Sequence, residues 1–225
     1  MLLLALDTST PNVTVAVADV RDGTPPHLLA ECADVAPNRH GELLAPLIEQ
    51  ALATAQVAPR ELTAVAVGLG PGPFTGLRVG IVSAAATGHA LRIPTYGVCS
   101  LDVVAKGIDA AAPFAVVTDA RRKELYWATY DASGRRTSGP SVDTPGAVRS
   151  ALGEEVQTVV GPGVELYPDV FAGLQTQPVP PTARAVVALV ADRVVANALS
   201  EVLTPIYLRR PDAAEPRPPK PVLVR

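Results

Sequence analysis

The stretch of sequence that decides the fold is Gly68-Leu69-Gly70-Pro71-Gly72-Pro73-Phe74-Thr75-Gly76-Leu77-Arg78-Val79-Gly80. An apolar run, 64–67, precedes it and a segment of small residues, 81–91, follows, so we predict a strand, a loop and a helix in that order. The glycines can adopt positive φ angles without steric cost, and the prolines prevent a helix until the loop has passed. Thr75 is predicted to cap a helix that begins at Gly76.

Composition alone leaves two interpretations of this loop open. Free N–H groups at the start of the helix could bind an anion or an acceptor group of a partner. The alternative is a tight connection between strand and helix, in which glycine is needed for packing. A P-loop is excluded, because Gly76 is followed by Leu77 and Arg78 where that motif has Lys and then Ser or Thr.

The overall composition is that of a folded globular protein. The chain has 225 residues, of which 48% are hydrophobic, enough for one large domain or two smaller ones. With 19 Lys and Arg against 22 Asp and Glu, the net charge of −3 excludes a broad basic surface that would bind nucleic acid unaided. The two cysteines are too few for a disulfide framework and predict a reducing, cytoplasmic location. Because the first apolar run is short and has no basic leader, we expect neither a signal peptide nor a membrane span.

The first half of the chain predicts a sheet. A continuous apolar run, 2–6, is typical of a central strand and ends at Asp7. Alternating residues at 13–17 and an apolar run at 28–32 predict two more strands, joined by short turns. Asp7 stands beside hydroxyl residues, where it could position magnesium or phosphate or could only cap the turn.

Two predicted helices, 40–56 and 76–91, carry more apolar or small surface than one sheet face usually covers. In the first helix apolar residues recur at spacings of three and four, and in the second most residues are small. Small side chains permit close approach of a neighbouring helix. Part of this surface could therefore bind another protein, although the small face could also lie against the sheet of the same chain.

The second half of the chain begins as the first half does. The apolar run 114–118 ends at Asp119, and 124–130 provides a partner strand for a hairpin. This repetition predicts a duplicated architecture. A later strand is predicted at 158–160 and a helix at 183–199.

No pattern of residues predicts a catalytic or metal site. The three histidines, His27, His40 and His89, have no ligand spacing, and neither Gly-x-Ser-x-Gly nor His-Glu-x-x-His is present. Turns that bind phosphate need glycine for close backbone approach, whereas the turn after Asp7 contains Ser9 and the turn after Asp119 contains alanine and arginines. We therefore predict no catalytic, cofactor-binding or metal-binding residues.

A cluster of basic residues near the second hairpin has two interpretations. It could be a patch that recognises RNA directly, or a set of solvated hairpin charges, which is the commoner case. The residues are Arg121, Arg122, Lys123, Arg135 and Arg136.

Residues 70–80 closely resemble the signature of the TsaB (YeaZ) family, usually Gly-Pro-Gly-Ser-Phe-Thr-Gly-Val/Leu-Arg-Ile/Val-Gly. The resemblance extends from about residue 2 to 210, and Pro73 stands where the family usually has serine. The residues of the signature loop are Gly70, Gly72, Phe74, Thr75, Gly76 and Arg78. Other similar landmarks, in the same order as in the family, are Leu4-Ala5-Leu6-Asp7-Thr8-Ser9-Thr10, the helix start at His40, Asp119-Ala120-Arg121, Glu124-Leu125-Tyr126 and Pro205-Ile206-Tyr207-Leu208-Arg209.

This resemblance implies an α/β, two-lobed fold of the actin-like, Hsp70-like and sugar-kinase-like (ribonuclease H-like) class. We expect an N-terminal lobe at 1–110 that carries the partner helices, a C-terminal lobe at 111–210 and a flexible tail at 211–225. The implied function is that of a non-catalytic subunit of the complex that installs the N6-threonylcarbamoyl group on adenosine 37 of tRNA, acting as scaffold and activator of TsaD. TsaE is the second expected partner, tRNA is contacted only through the complex, and a homodimer can form when the protein is alone.

Members of this family bind TsaD, or a second copy, through their first two helices, here 40–56 and 76–91. Nucleotide-binding proteins of this fold have glycines in the turns after Asp7 and Asp119, and TsaD-like enzymes bind metal through a histidine pair on one helix. Because this chain has neither, we expect no transferase, protease or appreciable ATPase activity from the chain alone. A small-molecule kinase or a peptidase of the same fold is the alternative. The residues assigned to the partner interface are Leu43, Leu44, Leu47, Ile48, Ala51, Leu77, Ile81, Ala84, Ala85 and Gly88.

Overall fold

The chain builds two five-stranded sheets, which the computed structural model describes over residues 1–35 and 39–209. The predicted tail, 211–225, lies outside the described residues. The strands of the first sheet are β1 (Leu2–Asp7), β2 (Asn12–Asp19), β3 (His27–Val35), β4 (Ala64–Gly68) and β5 (Thr95–Val98). Those of the second are β6 (Phe114–Asp119), β7 (Leu125–Tyr130), β8 (Arg136–Asp143), β9 (Thr158–Val160) and β10 (Gln175–Gln177).

The two sheets have the same topology. The strand order is β3-β2-β1-β4-β5 in one and β8-β7-β6-β9-β10 in the other. In both sheets the first three strands form an antiparallel meander, and the fourth strand pairs in parallel with the first. Leu4 thus lies between Val17 and Val65, as Val116 lies between Ala128 and Val160. The predicted duplication is confirmed.

Helices cover both faces of the first sheet and separate it from the second. The helices are α1 (His40–Ala55), α2 (Phe74–Leu91), α3 (Ser100–Lys106), α4 (Pro145–Ala151) and α5 (Ala183–Val195). One hydrophobic core lies between the first sheet and α1 with α2, and another lies between its opposite face and α5. Helix α3 packs on the second sheet and against α5, while α4 covers the outer face of the second sheet. Each lobe is therefore completed by a helix from the other half of the chain.

The start of α2 differs from the prediction. The helix begins at Phe74, two residues before Gly76, and Pro73 occupies the N-cap position with a φ of −58°. Thr75 lies inside the first turn, so its assignment as the cap was wrong. Pro73 itself has an extended ψ of 130°, and proline is unfavourable inside a helix, so the helix begins directly after it.

Helix α5 is shorter than predicted, since it ends at Val195. Asn197 has a φ of +47°, a left-handed conformation that a helix cannot continue through. Helix α4 and strand β10 were not predicted. At the start of α4, the side chain of Thr144 accepts a hydrogen bond from the backbone N–H of Ala147, and Pro145 lies in the first turn.

Candidate functional site: the interlobe cleft and the α1–α2 face

Four loops meet at the cleft between the lobes. They follow β1, β4, β6 and β9, and they enclose a cavity of about 220 Å³. The cavity is lined by Ser9, Thr10, Pro11, Pro73, Asp119, Arg121, Pro162 and Leu166. This is the position at which the two repeats face each other, so it is the natural place for a small ligand in such a fold.

Asp7 is sealed beneath this cleft. Its carboxylate is completely buried; Oδ1 accepts a hydrogen bond from the backbone N–H of Ser9 at 2.7 Å, and Oδ2 accepts one from Ser100 Oγ at 2.7 Å. Burial raises the pKa of Asp7 above its ordinary value, while hydrogen bonds from Ser9 and Ser100 and the charge of His40 oppose that rise. Both carboxylate oxygens therefore already have donors within the protein.

In the turn after β6, the carboxylate of Asp119 is bound by Arg121. Asp119 Oδ1 accepts a hydrogen bond from the backbone N–H of Arg121 at 2.7 Å, and Oδ2 lies 3.3 Å from the Nη1 of the same residue. Arg121, Arg122 and Lys123 have φ angles of +61°, +52° and +59°, which non-glycine residues seldom adopt. The guanidinium group of Arg121 therefore lies beside the Asp119 carboxylate in the lining of the cleft.

A stripe of four glycines lets the signature loop and α2 lie directly against the turn after β1. Gly68, Gly72, Gly76 and Gly80 recur at every fourth position. A Cβ atom on Gly76 would lie 2.7 Å from the carbonyl oxygen of Thr8, and one on each of the others would overlap atoms of the 7–9 turn. The hydroxyl of Thr8 donates a hydrogen bond to the Gly76 carbonyl at 2.8 Å. These glycines are therefore required for packing, which is the second of the two interpretations left open by composition.

The remaining residues of the signature loop divide into buried and exposed groups. Gly70 is buried with a φ of +90°; its N–H donates to Ser100 Oγ at 3.1 Å and its carbonyl accepts from the Ser100 N–H at 2.7 Å. Phe74, Thr75 and Arg78 are exposed at the start of α2. Sequence reasoning did not identify Ser100, whose only signal was its place at the start of a short helix.

Most residues assigned to the partner interface lie in the hydrophobic core of the monomer. Leu43 and Ile48 are half-buried, and Ala85 is exposed. The buried members are Leu44, Leu47, Ala51, Leu77, Ile81, Ala84 and Gly88. They pack against the first sheet or between the two helices, and Gly88 lies against Thr95 of β5. These seven residues are thus largely shielded from solvent in the folded monomer.

The two helices contact each other, and the side of each that faces away from the core is exposed. We call this surface the outer α1–α2 face. It consists of Ala45, Pro46, Glu49, Gln50 and Ala53 from α1 and of Val82, Ala85, Ala86, His89 and Ala90 from α2. Val82 is 63% exposed. From 79 to 88, α2 carries no charged residue.

Acidic side chains lie close to Arg121, Arg135 and Arg136 near the second hairpin. Arg121 pairs with Asp119, Arg135 lies 3.3 Å from Asp131, and Arg136 lies 3.6 Å from Asp102. These contacts support the interpretation as hairpin charges. Within residues 1–35 and 39–209, no three His, Cys, Asp or Glu side chains gather in a way that would hold a metal ion, and no helix there has the length and apolarity to cross a membrane.

Comparison with known proteins supports the resemblance noted in the signature loop. Residues 33–223 match the family model described as TsaD: tRNA N6-adenosine threonylcarbamoyltransferase. An uncharacterized protein of Mycobacterium leprae is 43% identical over 219 residues, which cover 94% of this chain and 56% of that protein. The tRNA threonylcarbamoyladenosine biosynthesis protein TsaB of Escherichia coli is 33% identical over 133 residues, or 58% of this chain and 55% of that protein. The chain thus spans just over half the length of these two relatives.

A solved structure matches this chain over nearly the whole length of both proteins. YeaZ from Pseudomonas aeruginosa has a TM-score of 0.75 and 28% sequence identity, and the match covers 92% of this chain and 99% of that chain. Together with the two repeated sheets, this match confirms the predicted α/β, two-lobed, actin-like (ribonuclease H-like) fold. The chain belongs to the TsaB (YeaZ) family.

Proposed function

We propose that the chain is a non-catalytic subunit in the biosynthesis of threonylcarbamoyladenosine in tRNA, and that it serves as scaffold and activator of a TsaD-type transferase. Relatives named for this biosynthesis and the TsaD description of the matched family model support the pathway. In this proposal the N-terminal lobe carries the partner surface, and TsaE and tRNA join through the complex. The protein acts in the cytoplasm, and without its partner it can pair with a second copy.

The outer α1–α2 face is the observation that carries the proposal. It lies on two helices that are anchored in the same core, so it can be presented to a partner without reordering the backbone. Its small side chains, with no charge along 79–88 of α2, suit close packing against other helices. Val82 and Ala85 are exposed on α2 and would be desolvated by a partner bound to this face.

The arrangement of the cleft supports the non-catalytic part of the proposal. Asp7 is buried with both oxygens bonded, and Asp119 is paired with Arg121. In this proposal neither aspartate holds magnesium or activates a nucleophile. Turnover of ATP by the purified chain alone would contradict this part of the proposal.

The experiment that tests the surface is a charge insertion on the exposed side of α2. Ala85→Glu and Val82→Asp should abolish the complex with the TsaD of the same organism in size-exclusion chromatography with light scattering, because each would bury an unpaired carboxylate. Leu47 is unsuitable for this purpose, since it is only 7% exposed and its replacement by Asp would unfold the lobe.

The matched control is Ala147→Glu, the same substitution at an exposed position of α4 in the other lobe. This variant should bind TsaD as the wild type does. All three variants should melt within a few degrees of the wild type, since the substituted side chains are exposed. A complex that forms normally with Ala85→Glu and Val82→Asp would show that the partner binds elsewhere.

A further inference from the structure

Asp7, Ser100 and Gly70 are connected by hydrogen bonds across three separate elements. Ser100 Oγ, at the start of α3, donates to Asp7 Oδ2 at the end of β1 over 2.7 Å. The same hydroxyl oxygen accepts the N–H of Gly70 in the signature loop at 3.1 Å. The Gly70 carbonyl in turn accepts the Ser100 N–H at 2.7 Å. We call this set of contacts the Asp7–Ser100–Gly70 network.

The network is closed off from water. Asp7 is 0% and Ser100 is 2% exposed, and Gly70 is also buried. The Asp7 carboxylate occupies the space in which any side chain at Gly68 would stand, and Ser100 Oγ lies 2.7 Å from the same point. The loop can therefore close over β1 only because residue 68 has no Cβ. A buried carboxylate without its donors would be costly, so the contacts are strongly favoured once the loop is closed.

We propose that Asp7 acts through Ser100 as a positioning residue, which holds the signature loop onto the end of β1 and thereby sets where α2 begins. The loop leaves this network at Gly70 and reaches the helix at Phe74, four residues later. The next contact along the chain is the hydrogen bond from Thr8 to the Gly76 carbonyl, which ties the first turn of α2 to the same 7–10 turn. His40 Nε2 lies 2.8 Å from the carbonyl oxygen of Thr10 and connects α1 to this turn as well. This positioning role of Asp7 does not depend on which partner binds the chain.

Hydrogen exchange of individual backbone amides in the full chain tests this role. Ser100→Ala removes the hydroxyl that connects Asp7 to Gly70. We expect the Gly70 amide, and the amides at the start of α2, to exchange about tenfold faster or more, as the loss of a hydrogen bond to a charged group implies. Amides of the second sheet should keep their wild-type rates.

The matched control is Ser200→Ala, beside β5 of the first sheet. Its hydroxyl also accepts a backbone N–H, that of Thr95 at 3.0 Å, but it lies far from Asp7 along the sheet. This variant should accelerate exchange at Thr95 and leave Gly70 unchanged. Unchanged exchange at Gly70 in Ser100→Ala would overturn the proposal.

A second comparison separates the network from a ligand site. Asp7→Asn should accelerate exchange at Gly70 as Ser100→Ala does, and the double variant should add little, because both changes break one network. Asp119→Asn, at the corresponding strand end of the second lobe, should leave Gly70 unaffected. Protection of these amides by magnesium with ATP in the wild type, lost in Asp7→Asn, would instead identify Asp7 as a ligand and overturn the proposal. Should Asp7→Asn fail to fold, the comparison of Ser100→Ala with Ser200→Ala still decides it.

Discussion

The ring of Tyr207, near the end of the described chain, lies with its centroid 4.9 Å from that of Phe74, the first residue of α2. The guanidinium carbon of Arg78 lies 3.7 Å from the centroid of Phe74, and Arg78 Nε donates to Tyr207 Oη at 3.3 Å. One residue earlier, the N–H of Ile206 donates to the carbonyl of Leu69 at 2.8 Å. Ile206 and Tyr207 of the C-terminal segment therefore contact both ends of the signature loop.

Tyr207→Ala should weaken this attachment and lower the free energy of unfolding by about 1–2 kcal/mol, through loss of the ring contact and of packing over Phe74. Urea denaturation measures the change. Tyr207→Phe keeps the ring and loses only a long, exposed hydrogen bond, so its effect should stay below about 1 kcal/mol. Equal losses in the two variants would mean that the hydroxyl of Tyr207, and not the contact of its ring with Phe74, holds the segment.

The glycine stripe leads to a prediction about packing. Gly76→Ala places a Cβ 2.7 Å from the Thr8 carbonyl oxygen, a backbone atom that cannot move without disturbing β1. We expect a loss of about 1–3 kcal/mol in the free energy of unfolding, despite the better helix propensity of alanine. Gly146→Ala is the matched control in the first turn of α4, where a Cβ meets nothing within 4 Å.

Gly146→Ala should be neutral or stabilising by up to about 1 kcal/mol. Thermal and urea denaturation of the two variants provide the comparison. A Gly76→Ala variant as stable as Gly146→Ala would show that the 7–10 turn can move away from α2, and the packing explanation of the signature would then fail.

Much of the fold could be predicted from the pattern of apolar residues. The continuous runs at 2–6 and 114–118 became β1 and β6, the central strands of the two sheets, each covered on both faces. Because both runs end at an aspartate and are followed by a hairpin, the duplication was visible in the sequence. Strand β10 was missed, since all three of its residues are polar and exposed and it is held only by pairing with β9.

The candidate site was harder to predict, because helical periodicity shows which residues share one side of a helix but not which element packs against that side. Leu47 and Ala85 were assigned to the same interface, yet Leu47 lies in the core and Ala85 faces outward. The strands that bury Leu47 are distant in sequence, and nothing local indicates their position. Ser100 was missed for the same reason, as it lies 93 residues from Asp7 along the chain.

The two cysteines should differ in reactivity. Burial raises the pKa of the Cys99 thiol to about 11, with the nearby Asp102 carboxylate adding to the effect. At pH 8 its thiolate fraction is then about 0.001. Cys32, in β3, is half-buried. Iodoacetamide at pH 8 should label Cys32 first and Cys99 only on unfolding, as read by mass spectrometry of digested protein. Equal labelling rates in the folded protein would show that α3 and the second sheet separate readily.

The burial of Asp7 also predicts a pH dependence of stability. Its pKa is raised above the ordinary 3.8, so the folded protein binds this proton more tightly than the unfolded chain does. The stability that the proton contributes is fully present below the unfolded pKa and is lost as the pH rises through the folded pKa. Relative to Asp7→Asn, the wild type should therefore become less stable as the pH increases across that interval.

Urea denaturation of the wild type and of Asp7→Asn at a series of pH values from about 3.5 upward measures this difference. The contributions of the other carboxylates to stability largely cancel, because these groups titrate in both proteins. The hydrogen bonds from Ser9 and Ser100 and the charge of His40 oppose the effect of burial on the pKa of Asp7. The slope of the stability difference against pH therefore reports the balance between these effects. A wild type that gains stability over Asp7→Asn as the pH rises would mean that these donors outweigh burial and lower the pKa. The carboxylate would then be held in the network chiefly as an anion.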